Sequence, residues 1–371
     1  MTRRKSPPFT SIVQNLPATV PFVPPEALER QRGRPLKLRI GANESAFGIS
    51  PLARRAMLET LDHLAWYNDP ESYELRAELA RIHRVSMDNV IVGSGIDDLL
   101  GLVAHTFISP GETAVTSLGA YPTFNYFVAT CGGQLSTIPY RDDRNDLGGL
   151  IARAGNTGAR LLYLANPDNP SGTWHTSGDL QDAIAQLPPQ TLLLLDEAYA
   201  EFAPANNSPE VDPNDPQVIR LRTFSKAHGM AGARIGYAIT ASETVAAFNK
   251  IRVQFGVNRV AQAGALASLR DQEFVSSVVA AVATGRQEYA TLAVKLGLAS
   301  LPSATNFVAI DMGSFERARA SMDALLAEDV FVRMPGAPPL NRCIRVTVGL
   351  PAERALFAEA LTKVLATGPH D

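Results

Sequence analysis

Cysteine is scarce in this chain, with two in 371 residues, Cys131 and Cys343, far apart in sequence. A disulfide framework is therefore excluded as the basis of the fold. The pair reads as free thiols of a reducing compartment, expected to be the cytoplasm. A surplus of positive charge is lacking as well. Lys and Arg number 34 against 37 Asp and Glu, a formal net charge of -3, which leaves no basic field for nucleic acid or an anionic membrane surface. No stretch approaches the ~20 apolar residues of a membrane span. The opening MTRRKSPPFTSIVQNLPATVPFVPP has no apolar run long enough for a signal peptide, and its prolines predict an extended arm. The six histidines (His63, His83, His105, His175, His228, His370) show no metal-ligand spacing, so no metal site is expected.

What is present is ordinary for a globular enzyme: 46% hydrophobic and 19% charged residues, in a chain long enough for two domains. From about residue 88 to 240, short apolar runs alternate with helical text. The runs are NVIVG, TAVTSL, QLSTIPY, RLLYLA, TLLLLD, VIRLRT and RIGYAIT, several of them apolar at nearly every position. That is the mark of strands buried on both faces of a parallel sheet. Between them lie amphipathic stretches such as SGDLQDAIAQLP, and residues 71–84 predict a further helix with Leu75, Leu79 and Ile82 on one face. The pattern is α/β in three layers. After Ala241 it changes to long Ala-rich helical text. NFVAIDM, VFVRMP and CIRVTVG follow as shorter strands, and then a helix from about 351 to 366. This predicts a second, smaller α+β domain.

Four segments carry chemistry. TLLLLDEAYAEF ends a buried strand in Asp196, placing a carboxylate where open α/β sheets bind ligands. Alone, such an Asp is more often a helix cap or a loop ion pair. The next apolar run leads into TFSKAHGMAGARIGY, where Lys226 stands beside a glycine-rich turn, an unusual place for a solvated charge. Desolvated there, its amine would lose basicity and become a nucleophile. ANPDNPSGT sets Asn166 and Asn169 each before a proline, a rigid polar loop at the same edge. VIVGSGIDDLL runs from a strand through a glycine turn into a helix, whose first N–H groups suit a phosphate. It is neither G-x-G-x-x-G nor a P-loop, so neither dinucleotide nor nucleoside triphosphate binding follows.

In this order and combination the four segments resemble the fold-type-I pyridoxal-phosphate (PLP) enzymes. They are most similar to the histidinol-phosphate aminotransferase branch of the class I and II aminotransferases, from GANESAFG at residue 41 to RVTVGLP at 351. The resemblance implies an α/β fold: a large domain at 45–250 around a mostly parallel seven-stranded sheet, a small α+β domain at 251–371, and an arm at 1–44 partly joining it. It implies Lys226 as the lysine that carries PLP, with Thr223 and Arg234 on the cofactor phosphate and Gly95, Ile96 and Asp97 as the phosphate-binding turn. Asp196 pairs with the pyridine nitrogen, Tyr199 and Asn169 bond the ring hydroxyl, and Phe124 of YPTF stacks on the ring. Tyr67 of WYNDP reaches the phosphate bound to the other subunit of a homodimer with shared sites. An adjacent buried carboxylate favours a protonated ring nitrogen, on which the electron withdrawal of PLP depends.

By the same resemblance Arg345 of CIRVTVG grips a substrate carboxylate or phosphate, a role that suits its fork of donors, and Arg333 of VFVRMPG is a second anion site. An interface salt bridge is the alternative for each. Asn43 and Glu44 belong to a segment that closes over the active site. The text departs from the family at Asp168 (NPDNP), at SAFG, at Asn68 (YNDP) and at His228, which stands where an aromatic is frequent. These leave the donor open between histidinol phosphate and an aromatic or other amino acid, with a 2-oxo acid such as 2-oxoglutarate as acceptor. The rival within PLP chemistry is a decarboxylase of the threonine-phosphate type. A regulator's effector-binding domain is the rival of another class; the proline-rich 40 residues before the motifs offer no winged helix.

Overall fold

The computed structural model describes residues 7–17 and 24–367; His370 and the arm residues 1–6 and 18–23 lie outside them. Twelve strands occur among the described residues: β1 (Leu38–Arg39), β2 (Val90–Gly93), β3 (Thr113–Ser117), β4 (Gln134–Ile138), β5 (Leu161–Ala165), β6 (Leu192–Asp196), β7 (Val218–Thr223), β8 (Gly236–Ile239), β9 (Ala299–Ser300), β10 (Phe307–Asp311), β11 (Val330–Phe331) and β12 (Cys343–Thr347). The seven apolar runs become one seven-stranded sheet of order β2-β8-β7-β6-β5-β3-β4. Only β8 runs against its neighbours, pairing antiparallel with both β2 and β7.

Alternation along each strand divides the side chains between two helical layers. On one face Leu161, Tyr163, Leu192 and Leu194 pack with Leu99, Leu100, Phe124 and Val128 from helices Ile96–Phe107 and Pro122–Thr130. On the other, Leu162, Leu164, Leu193 and Leu195 meet Leu150, Ala154 and Leu180 from helices Leu147–Thr157 and Ser177–Ala185. The small domain has its own core. Val275, Val278, Val282 and Tyr289 of the long helix Gln272–Lys295 pack with Phe307, Ile344, Val346 and Phe357 around the antiparallel sheet β12-β10-β9.

Two expectations are corrected. The arm is not simply extended: it holds helices Ser11–Asn15 and Pro25–Arg32. Pro25 occupies the first position of its helix, where a missing N–H costs nothing. The boundary at 250 also moves. Ala261, Ala265 and Leu269 of helix Arg259–Arg270 share a core with Val90, Val92, Tyr237 and Ile239, so that helix packs with the large sheet. β1 of the arm pairs in parallel with β11. There Asp329 draws in Arg32, Arg34 at 2.8 Å and Lys37 at 3.7 Å.

Asp196 and Glu197 are consecutive and point to opposite faces. Glu197 is buried and forms a two-pronged pair with Arg220 at 2.9 and 3.0 Å, with Arg222 at 3.7 Å and the Ser208 hydroxyl at 2.9 Å. Burial alone would raise its pKa, but the two guanidinium groups hold it below the usual carboxylate value. Removing one partner of such a pair strands the other charge in a dry environment, at about 3–5 kcal/mol. Glu197→Ala is therefore expected to lower the unfolding free energy by about 3–5 kcal/mol in urea titration. A loss under about 1 kcal/mol would show the pair to behave as an exposed one.

Candidate active site

The C-terminal ends of β5, β6 and β7 open onto a cavity of about 640 Å³ whose far wall comes from the arm and the small domain. This is the edge at which open α/β sheets bind ligands. Ile96, Asp97, Asn169, Asp196, Tyr199, Thr223, Lys226, Arg234, Asn43, Arg333 and Arg345 all line it. Residues more than 300 positions apart in sequence thus meet in one space.

Asp196 ends β6 and is 4% exposed. Its Oδ1 accepts from the Ala198 N–H at 3.0 Å and its Oδ2 from the Tyr163 hydroxyl at 2.7 Å. Burial pushes its pKa up to about 6, against the pull of these two donors. Lys226 stands across the cavity. Its Nζ donates to the Asn43 carbonyl at 3.0 Å and lies 5.6 Å from the centre of the Tyr199 ring. Burial, with the nearby Arg345 charge, lowers this amine from the ordinary 10.5 to about 8. Burial likewise raises the Tyr199 hydroxyl to about 12, so at neutral pH it keeps its proton; it accepts from Asn43 Nδ2 at 3.0 Å.

Asn43 is a hub. Its φ of 56° is left-handed, a conformation Asn tolerates better than most residues. Its N–H donates to Thr347 Oγ1 at 3.0 Å, and its carbonyl accepts from Asn306 Nδ2 at 3.1 Å as well as from Lys226. The arm therefore reaches the lysine through a residue that the small domain holds in place.

The opposite end is built for an anion. Helix Ile96–Phe107 starts at Gly95 with no side-chain cap, which leaves its first N–H groups directed outward. Gly95 has φ 88°, a backbone conformation that L side chains rarely adopt, and a Cβ there would push on the Arg234 guanidinium 2.6 Å away. Thr223 Oγ1 donates to Ser225 Oγ at 3.0 Å at the end of β7, and both residues line the cavity. Arg234 bonds the Ala231 carbonyl at 3.0 Å and stands 3.5 Å from Asp97.

At the small-domain end, Arg345 of β12 donates to Asn169 Oδ1 and to the Gly41 carbonyl, the latter at 3.3 Å. Its guanidinium lies 5.2 Å from the Phe307 ring centre, and burial lowers its pKa to about 10, still charged at neutral pH. Arg333 lies just past β11, joined to Arg345 by an antiparallel bridge.

Two expected residues are elsewhere. Phe124 is wholly buried and stacks on Tyr163 at 4.9 Å and 15°, away from the cavity wall; Tyr121, three residues earlier, lines it. The helix starting at Pro122 turns Phe124 toward the sheet, a choice that the YPTF text leaves open. The Tyr121 hydroxyl donates to Asp97 at 3.0 Å. Tyr67 is 78% exposed, with its ring 4.7 Å from that of Phe255, and does not line this chain's cavity. The departures are accommodated. Asp168 is buried, with four donated hydrogen bonds from Tyr140, Asn145 and Ser171, and His228 bonds the Ser268 hydroxyl at 2.7 Å. Sequence reasoning missed Tyr121, Tyr163, Ser225 and Asn125. Only Ser225, beside the lysine, carried a local signal.

A family model described as aminotransferase class I and II matches residues 36–361. The chain belongs to the class I and II aminotransferases. It is similar to a histidinol-phosphate aminotransferase of Carboxydothermus hydrogenoformans, 36% identical over 95% of this chain and 98% of that one. One of Pseudomonas fluorescens (strain Pf0-1) is also 36% identical, over 96% and 97%. Among solved structures, the histidinol-phosphate aminotransferase of Sinorhizobium meliloti in complex with pyridoxal-5'-phosphate superposes with a TM-score of 0.94 at 48% identity, covering 97% of this chain and 98% of that one. A threonine-phosphate decarboxylase of Porphyromonas gingivalis, 20% identical with a TM-score of 0.75, shares the fold.

This aminotransferase depends on pyridoxal phosphate, and the cavity fits that group. An uncapped helix start, a glycine in a left-handed conformation and Arg234 suit its phosphate. A buried carboxylate suits the ring nitrogen, and a desolvated amine suits the aldehyde. Only an unprotonated amine attacks a carbonyl. Uptake of PLP by the apoprotein should therefore quicken as pH rises through about 8 and level off above it. Stopped-flow absorbance reads this; a rate still climbing beyond the ordinary lysine value of 10.5 would show that Lys226 titrates as an exposed amine.

Proposed function

We propose that this aminotransferase moves the amino group of histidinol phosphate to 2-oxoglutarate in the cytoplasm, as a homodimer. The observation that carries the donor is the paired placement of Arg333 and Arg345, bridged to each other, on the small-domain wall of the cavity that Arg234 also lines. One anion site then serves the cofactor phosphate, and a separate pair of guanidinium groups serves the substrate. Relatives of matching length are histidinol-phosphate aminotransferases, which supports the same donor.

Bound PLP supplies an electron sink that acidifies the donor Cα–H. The chain's residues do the rest. Lys226 would hold the cofactor through Nζ, and the same amine would serve as the base that takes the proton from the donor Cα. Asp196 keeps a proton on the ring nitrogen, and Tyr199 with Asn169 orients the ring hydroxyl. Thr223, Arg234 and the backbone at Gly95, Ile96 and Asp97 hold the phosphate. Arg345 binds the substrate anion with parallel hydrogen bonds, Arg333 selects among donors, and Asn43 ties Lys226 and Tyr199 to the small domain.

Decarboxylation has no specific support here, since the likeness to the decarboxylase extends to the fold alone. With donor alone, a single turnover should leave the amino group on the cofactor and release no carbon dioxide. Arg345→Lys should raise KM for donor and acceptor alike, because an ammonium cannot reproduce the fork. Arg333→Ala should cost histidinol phosphate on the order of 10- to 150-fold in kcat/KM, the worth of a hydrogen bond to charge, while an aromatic amino acid is spared. Equal losses for both donors would make the uncharged or aromatic amino acid the better candidate.

The dimer is supported by an exposed apolar patch around Tyr67. Leu58, Leu61, Leu64, Trp66, Val253 and Phe255 are all exposed near it in the chain or against it in space. Patches of this kind mark interfaces. Tyr67 would then serve the phosphate site of the partner. Mixing Tyr67→Ala with Lys226→Ala subunits should restore some activity that neither has alone. A stable, fully active monomer in sedimentation would end this reading.

A further inference from the structure

Tyr163 has no place in the chemistry assigned so far, yet its hydroxyl makes the shortest side-chain contact to Asp196. On the parallel pair β5 and β6, Tyr163 lies opposite Leu194 and Ala165 opposite Asp196. Tyr163 and Asp196 are thus diagonal neighbours on one face of the sheet, within reach of a long side chain. The O–H to carboxylate distance is 2.7 Å, at the edge of the charge-assisted range. The ring has no freedom to leave: it is 1% exposed, and Phe124 stacks on it at 4.9 Å and 15°. Its backbone carbonyl is further held by the Thr116 hydroxyl at 3.1 Å. Burial, reinforced by the Asp196 charge, raises this phenol well above its ordinary pKa. It therefore keeps its proton and acts only as a donor.

We infer that Tyr163 is a positioning residue that keeps Asp196 ionised, so that the shared proton resides on the cofactor's ring nitrogen and not on the carboxylate. The inference rests on the reading of Asp196 as partner of that nitrogen. A buried carboxylate facing a pyridine has two arrangements of one proton: carboxylate with pyridinium, or carboxylic acid with neutral pyridine. Desolvation favours the uncharged pair, and each hydrogen bond donated to the carboxylate favours the charged one. The Ala198 N–H supplies one such bond to Oδ1 and Tyr163 supplies the other to Oδ2. The backbone donor is fixed by the chain, so the phenol is the variable one. Phe124 acts one step further back, holding the phenol at the angle that reaches Oδ2.

The test uses holoenzyme loaded with PLP carrying 15N at the ring nitrogen, whose chemical shift distinguishes pyridinium from pyridine. Tyr163→Phe keeps the stacked ring and removes only the hydroxyl. At neutral pH its ring nitrogen should move toward the unprotonated shift, and donor Cα deprotonation should slow by on the order of tenfold, about one pKa unit. Site-specific 3-fluorotyrosine at 163, a more acidic phenol of nearly the same shape, should hold the nitrogen at least as firmly protonated as the parent and serves if the phenylalanine variant folds poorly. A wild-type shift in Tyr163→Phe from pH 6 to 9, whatever its melting temperature, overturns the inference. Asp196→Asn separates the two readings. If it alters the ring shift and Tyr163→Phe does not, only the role of Tyr163 fails. If neither alters it, the pairing of Asp196 with the nitrogen fails first.

Discussion

A carboxylate at the end of a central parallel strand, walled off from water by helices on both faces, is a costly thing to fold around. Asp196 is ionised there only with help, and at its raised pKa of about 6 it is close to taking up a proton even at neutral pH. Much of the site can be understood as the answer to that cost. Two donors hold its oxygens on the strand side, and the cavity side stays open for a cation. On the proposed pairing, the cationic form of a bound ring would complete the compensation and couple affinity for the cofactor to its reactive protonation state. The same burial acts in the opposite sense on Lys226, making its amine nucleophilic near neutral pH. One dry cleft thus weakens an acid and a base at once.

The neighbouring Glu197 shows what the chain does when no ligand is to provide the countercharge. It points away from the cavity and is met by Arg220 at the distance of a direct pair, with Arg222 behind. Two consecutive carboxylates on one strand end therefore have opposite fates. One is neutralised by the protein, and the other is left for what binds.

Most of the large sheet was legible, because strands buried on both faces must be apolar throughout and seven such runs stood between turn signals. The antiparallel course of β8 was not. Direction depends on how the connection from β7 passes the lysine loop, and RIGYAIT reads equally well either way. The arm helix Pro25–Arg32 was missed because prolines were read as extending the chain where one stands at the start of a helix. Motif residues set by strand ends, such as Asp196, Lys226 and Asn169, were found at the cavity, where burial and hydrogen bonding lend each a distinct environment. Phe124 was not, since a shift of one helical position decides whether an aromatic faces the cavity or the sheet. Tyr163 carried no signal at all. In RLLYLA it is one more large residue of a buried strand, and its polar end matters only because β5 and β6 pair in the register that brings it beside Asp196.

The attachment of Asn43 to Thr347 and Asn306 has a consequence for biosynthesis. The lysine's neighbour comes from the first eighth of the chain, while the residues that hold it come from the last fifth. During synthesis the sheet bearing Asp196 and Lys226 can be complete while β12 is still inside the ribosome. A nascent chain at that stage has the carboxylate and the amine but no wall to shield them from water, since Arg345 and the grip on Asn43 are yet to emerge. Chains cut short before residue 347 would accordingly lack a closed cofactor site even where the large sheet has folded.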